Sequence, residues 1–238
     1  MIRVENLSKS YGAIRVLQNI SFAIRPGVIT GLAGPNACGK TTLIKSILGL
    51  VMPNAGKIIL GNTPITKDFR YRERIGYMQQ NAEFPANLRP TELFRMLSAL
   101  RGQRNARLAE LIDTFELGTS LQKPFATLSA GTRQKVAAIS ALLFQPELLI
   151  LDEPTAGLDP LSSARLKHLL LKAAKEGTTV LMVSHIMPEL EQMISDLVFL
   201  LDGQILFTGE VGTLRNETSA LSLEGGIVTL LEKSKARA

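Results

Sequence analysis

Short unbroken apolar runs alternate along this chain with longer stretches whose apolar residues recur at helical spacing. Leu148-Leu149-Ile150-Leu151 is apolar at four consecutive positions, the pattern of a strand covered on both faces, and is expected at the centre of a sheet. Val28–Ala33, Thr179–Ser184 and Leu197–Leu200 read the same way. Helical patterns follow them over Thr41–Leu50, Leu161–Lys175 and Pro188–Ile194. Such alternation predicts an α/β fold with a mainly parallel central sheet.

Two regions depart from that rhythm. Residues 1–60 hold shorter runs, Ile2–Leu7, Val16–Ile24 and Lys57–Leu60, divided by Gly, Pro and Asn, which predicts an antiparallel β subdomain. From about 82 to 145 the pattern is helical, over Thr91–Arg101, Ala106–Glu116 and Thr132–Phe144, and reads as an inserted helical subdomain. Residues 1–215 therefore form one expected domain. The remainder, 216–238, is expected as a polar, Gly-containing extension ending in Glu232-Lys233-Ser234-Lys235-Ala236-Arg237.

Composition narrows the function classes. A chain of 238 residues buries one large core. Its longest apolar runs, Val136–Phe144 and Leu197–Leu201, are too short to span a bilayer, and no basic-then-apolar leader follows Met1, so a cytoplasmic location is expected. Cys38 is the only cysteine, which excludes an intrachain disulfide and argues against a protein zinc site. The net charge of +6 favours anionic partners, nucleic acid or a phospholipid surface, without choosing between them. The basic stretches 67–74 and 101–107 are interrupted by other residue types and read as solvated faces.

The chemistry concentrates in three places. Gly34-Pro35-Asn36-Ala37-Cys38-Gly39-Lys40-Thr41-Thr42 lies between a predicted strand and a predicted helix, the context of a phosphate-binding loop. A tight turn aims backbone N–H groups at one anion, Lys40 adds a point charge, and the Thr41 hydroxyl suits Mg²⁺. Asp152 and Glu153 follow the apolar strand at its carboxyl end, where open α/β sheets place ligands. One acid can hold Mg²⁺ through water, and the other can orient or deprotonate an attacking water. The third place is Thr127-Leu128-Ser129-Ala130-Gly131-Thr132, a small-residue turn entering a helix, which reads either as a second anion site or as an ordinary N-cap at Ser129.

In this order the motifs resemble those of an ATP-binding cassette ATPase, the nucleotide-binding subunit of ABC transporters, over Ile2 to about Gly212. Leu128-Ser129-Ala130-Gly131 is similar to the family's L-S-G-G signature. The resemblance implies a P-loop NTPase fold, ATP and Mg²⁺ as ligands, and residues 1–215 as the nucleotide-binding domain. It assigns Tyr11 to stacking on adenine, and Gln80 to Mg²⁺ contact and sensing of the membrane partner. Asp152 becomes the Walker B aspartate, Glu153 the catalytic glutamate and His185 the switch histidine near the γ-phosphate. Ala156-Gly157-Leu158-Asp159 becomes the loop that couples the two sites of a dimer. Thr41, Gln80 and Asp152 are the implied metal ligands.

The resemblance further implies a head-to-tail homodimer or paired cassette, a separate membrane permease and a peripheral position on the inner face of the membrane, with no direct nucleic-acid contact. Phe84, Pro85 and the helix near Thr91 are the expected docking surface. The alternative is a soluble ABC ATPase acting on nucleic acid or ribosomes, but such proteins carry coiled-coil insertions, zinc cysteines or two cassettes, and this sequence has none of them. An inactive regulatory cassette is a weaker rival. At finer grain, Leu128–Val136 and Ile75–Met78 look like the ATPase of the copper-maturation system for nitrous oxide reductase. Ala37 and Ala130 depart from the family, which usually has Gly at both positions. An alanine held at φ > 0 would cost on the order of 1 kcal/mol.

Overall fold

The computed structural model describes residues 2–65, 69–102 and 107–236. Ala106, the expected start of a helix, lies outside the described residues, as do 67–68 and 103–106 of the two basic stretches and Arg237 of the tail. The chain begins with β1 (Ile2–Tyr11), β2 (Ile14–Ile24) and β3 (Ile29–Ala33), then α1 (Lys40–Ile47), β4 (Ala55–Leu60) and β5 (Thr63–Pro64). A 3-10 segment, Phe69–Arg74, leads into β6 (Ile75–Met78), which is followed by α2 (Pro90–Arg101), α3 (Leu108–Thr114) and α4 (Ala130–Leu142). The last part runs β7 (Leu148–Asp152), α5 (Pro160–Lys175), β8 (Thr179–Val183), α6 (Met187–Met193), β9 (Asp196–Leu201), β10 (Gln204–Glu210), α7 (Val211–Thr218) and α8 (Leu223–Lys235).

Two sheets result. The first is antiparallel in the order β2-β1-β4-β5, as the broken apolar runs of residues 1–60 predict. The second has the order β10-β9-β3-β8-β7-β6 and is parallel except for β10, which pairs antiparallel with β9 at one edge. Alternate residues of β7 face different cores. Leu149 and Leu151 pack with residues of α4 and α5, while Leu148 and Ile150 pack with α1 and the antiparallel sheet.

That double covering corrects the expected position of β7. It lies second from the edge, between β6 and β8, and the centre belongs to β3 and β8. An unbroken apolar run reports burial on both faces, not distance from the edge. Sequence periodicity also missed β6, β10 and α7, which are short or carry mixed polarity.

The stretch after Arg215 is helical where a polar tail was expected. Leu223, Ile227, Leu230 and Leu231 recur at helical spacing, and the first two are buried in the core shared with α6 and α7. Glu191 of α6 fastens this region by accepting from Arg215 and from the Leu223 N–H. The expected domain end at residue 215 thus falls inside α7.

Candidate active site

The phosphate loop connects the carboxyl end of β3 to α1. Gly39 caps α1 at φ 109° with no side-chain acceptor, so the first N–H groups of the helix remain open to an anion. Gly34 is required by space as well as by its φ of 151°, because a Cβ there would lie 2.2 Å from the Leu200 carbonyl oxygen. Lys40 Nζ donates to the carbonyls of Gly34 at 2.7 Å and Pro35 at 2.8 Å, which holds the ammonium over the loop. The Cys38 thiol is buried in the core beneath it.

The two alanines that depart from the family pattern differ physically. Ala37 stands at φ 62°, in the left-handed region, whereas Ala130 opens α4 and is not among the positive-φ residues. Ala37→Gly should therefore stabilise the nucleotide-free protein by about 1 kcal/mol, raising Tm by about 2–4 °C for a chain of this size. Ala130→Gly should bring no such gain, and paired thermal unfolding of the two variants checks both. Equal Tm shifts would show that the Ala37 backbone carries no strain.

Six expected functional side chains converge. A cleft of about 370 Å³ is lined by Lys40, Thr41, Gln80, Asp152, Glu153 and His185, together with Asn36, Ala37, Gly39, Thr42, Val16 and Val183. The sheet brings the acids to the histidine. Asp152 pairs with Val183 across parallel β7 and β8, so Glu153 and His185 leave adjacent strand ends on the same side. Glu153 Oε1 lies 2.6 Å from His185 Nδ1 and accepts the His185 backbone N–H at 3.0 Å, and Ser184 Oγ donates to Oε2 at 3.4 Å.

Burial pushes the Glu153 carboxyl above the ordinary carboxylate range, opposed by His185. Asp152 is raised for the same reason, against the opposing charges of Lys40 and His185. Glu153 itself stands at φ 50°, a conformation that non-glycine residues adopt at a cost and that gathers at functional sites.

Other expected site residues lie elsewhere. Ser129, Ala130 and Gly131 are not among the cleft-lining residues; Ser129 and Ala130 are exposed at the start of α4, with Ser129 Oγ accepting the Thr132 N–H at 3.1 Å. A Cβ at Gly131 would lie 2.8 Å from the Gly157 carbonyl, so this turn rests directly on the loop that ends at Asp159. Asp159 caps α5 through Ser162 and pairs with Lys135 of α4 at 3.0 Å. The Ser162 bonds, then Lys135, hold its carboxyl far below the usual range. Tyr11 is exposed outside the cleft lining, with Lys9 Nζ 5.1 Å from its ring centre.

Several residues that shape the site escaped the sequence reading. Gln134 is buried in α4 and donates to the carbonyls of Glu153 at 3.3 Å and Pro154 at 3.4 Å. A polar side chain in the phase of apolar Ala137, Ala138 and Ala141 was the available signal. Ser184, Thr155, Glu189 and Lys167 carried none, because their partners are far away in sequence.

Residues 17–156 match the family model described as ABC transporter. The lantibiotic transport ATP-binding protein SrtF of Streptococcus pyogenes is 32% identical over 88% of this chain and 91% of its own. A solved ATP-binding subunit of an ABC transporter superposes with a TM-score of 0.93 at 30% identity, covering 97% of this chain and 99% of that one. A dimeric ATP-binding cassette in a post-hydrolysis state, bound to ADP and Pi, gives 0.80 at 25% identity over 88% of this chain and 98% of that one. With a phosphate loop, two strand-end acids and a histidine facing one cleft, and with relatives matched nearly end to end, this chain belongs to the ABC transporter family as one of its ATP-binding, ATP-hydrolysing subunits.

Proposed function

We propose that the chain hydrolyses ATP in a composite site formed head to tail by two cassettes, and that it transmits their closure to a separate permease at the cytoplasmic face of the membrane. One observation carries this reading. The cleft holds Lys40, Thr41, Gln80, Asp152, Glu153 and His185, while Ser129–Gly131, with Ser129 and Ala130 exposed and Gly131 half-buried, do not line it. A second cassette supplies the missing half. The dimeric cassette that this chain resembles supports such pairing.

Within the cleft, the loop N–H groups and Lys40 bind the terminal phosphates, and Glu153 orients the attacking water and takes its proton. His185 and Ser184 fix the Glu153 carboxylate. A hydroxyl, an amide and a carboxylate, those of Thr41, Gln80 and Asp152, line the cleft together and form the hard oxygen set that Mg²⁺ prefers. When bound there, the ion neutralises phosphate charge. Tyr11, about half exposed, is assigned to stacking on adenine, and Asp159, tied to Lys135, joins the signature helix to the loop facing the second cassette.

Permease docking is assigned to Phe84, Pro85 and the start of α2 near Thr91, where Asn81–Phe84 and Ala86 line a groove of about 600 Å³; Ala130 and Gly157, which also line it, are kept for the surface that meets the second cassette. Phe84 is a wall of this groove, stacked on Phe125 with ring centres 4.2 Å apart, so a charge at Phe84 would damage packing as well as docking. Ala86 is the cleaner probe. No helix among the described residues is long and apolar enough to cross a membrane.

Co-expressed with its permease, the chain should stay on membranes at high salt, because apolar contact is unscreened whereas attraction to anionic lipid decays within about 10 Å or less. Ala86→Glu should release it and leave the ATPase of the isolated chain intact. Salt-labile association, or an Ala86→Glu variant that remains bound, would defeat this docking model. The narrower copper-maturation reading rests on Leu128–Val136 and Ile75–Met78. Copper content of nitrous oxide reductase after deletion of the gene tests it.

A further inference from the structure

We propose that Thr155 and Glu189 form a brace that positions Glu153 against His185, which makes them positioning residues for ATP hydrolysis. Thr155 Oγ1 donates to Glu189 Oε2 at 2.7 Å, and Lys167 Nζ donates to the other carboxylate oxygen, Oε1, at 2.8 Å. Both oxygens are therefore engaged, and the carboxylate is three-quarters buried.

The positions of its two ends give the brace its consequence. Thr155 lies two residues after Glu153, and Glu189 lies four after His185, in the first turn of α6. The bond thus ties the segment that follows the glutamate to the helix that follows the histidine. Neither segment is rigid by local rules. Glu153 at φ 50° and Gly157 at φ 74° bound a sharply turned loop, and α6 is a seven-residue helix whose N-cap, Ile186, makes no side-chain bond. Such a helix takes its place from tertiary contacts. Glu189 anchors α6 on the Glu153 side, and Glu191 anchors it to Arg215 and the Leu223 N–H on the other.

Misplacement by one ångström near a reaction centre can cost about 100-fold in rate. The Glu153–His185 contact of 2.6 Å is short enough to feel a displacement of that size. Lys167 has a separate effect, since it belongs to α5 and ties the helix after Asp159 to the same carboxylate.

The test uses the full chain and steady-state ATPase kinetics. Thr155→Val keeps the shape and removes the donor, and should lower kcat by about 10–100-fold with KM for ATP changed by less than about twofold. Thr155→Ser keeps a hydroxyl and should hold kcat within about threefold of the parent. Glu189→Gln, which retains an oxygen acceptor for Thr155, should also keep most of kcat, whereas Glu189→Ala should lose it. Thr155→Val combined with Glu189→Ala should be no slower than the worse single variant, the sign of one shared interaction.

An unchanged kcat in Thr155→Val, an equal loss in Thr155→Ser, or losses that multiply in the double variant would each overturn the brace. So would a lowered kcat explained by unfolding at the assay temperature. The proposal rests on the catalytic role of Glu153, and the two fail differently. If Glu153→Gln turns over like the parent, the catalytic assignment falls; if only Thr155→Val does, the brace alone falls.

Discussion

Glu153→Gln is expected to abolish steady ATP turnover, with a fall of about 10²–10⁴-fold, the usual contribution of a positioned general base. The amide keeps the shape of the side chain and its oxygen can still accept the His185 N–H, so the cleft should still bind ATP. What it loses is the ability to take a proton from water. Hydrolysis is the step that would reopen a closed pair of cassettes, so the variant should also accumulate as an ATP-dependent dimer, detectable by size-exclusion chromatography with light scattering. Burial raises the Glu153 carboxyl above its ordinary range, and a protonated Glu153 cannot serve as base. The parent's kcat should therefore climb with pH through an acid limb that lies above the usual carboxylate range, and any residual activity of the Gln variant should lack that limb. Turnover of Glu153→Gln at the parent's rate would remove the catalytic assignment.

Lys40→Met should act at an earlier step, on binding. The Gly34 and Pro35 carbonyls hold the Lys40 ammonium over the loop, where it offers the phosphates a positioned charge. Hydrogen bonds to charged groups contribute about 1.5–3 kcal/mol each, which corresponds to a loss of about 10–100-fold in Mg-ATP affinity when the ammonium is removed. ADP, which lacks the γ-phosphate, should lose less. Titration calorimetry with both nucleotides checks the difference, and equal affinities for parent and variant would place the phosphates away from Lys40.

The phosphate loop, the strand-end acids and the signature turn were legible because each is a local word. A strand, a tight turn of small residues and a helix start lie next to one another in the chain, and their chemistry depends on neighbours only a few residues away. Leu148–Leu151 was legible as a doubly covered strand for the same reason. Its place in the sheet was not, since strand order is fixed by pairings between segments far apart in sequence. The region after Arg215 was misread because its glycines and charges suggested a tail, and only burial of Leu223 and Ile227 against a distant core makes the helical spacing of its leucines decisive.

The sequence by itself determined the class of fold, the glycine-bounded loop between β3 and α1, and the identity of the polar groups proposed to bind phosphate and activate water. The tertiary structure decided which of them meet. Glu153 and His185, 32 residues apart, touch because β7 and β8 lie side by side in parallel register. Thr155 and Glu189, 34 residues apart, join the same two segments, and Asp159 is claimed by Lys135 from another helix. It also decided that Ala37 takes a left-handed backbone and Ala130 does not, a distinction that identical residue types cannot carry. The physical reason is range. Propensity and turn chemistry act over a few residues, whereas side-chain contacts across a sheet follow from strand order and from packing of whole faces, which no local stretch of sequence encodes.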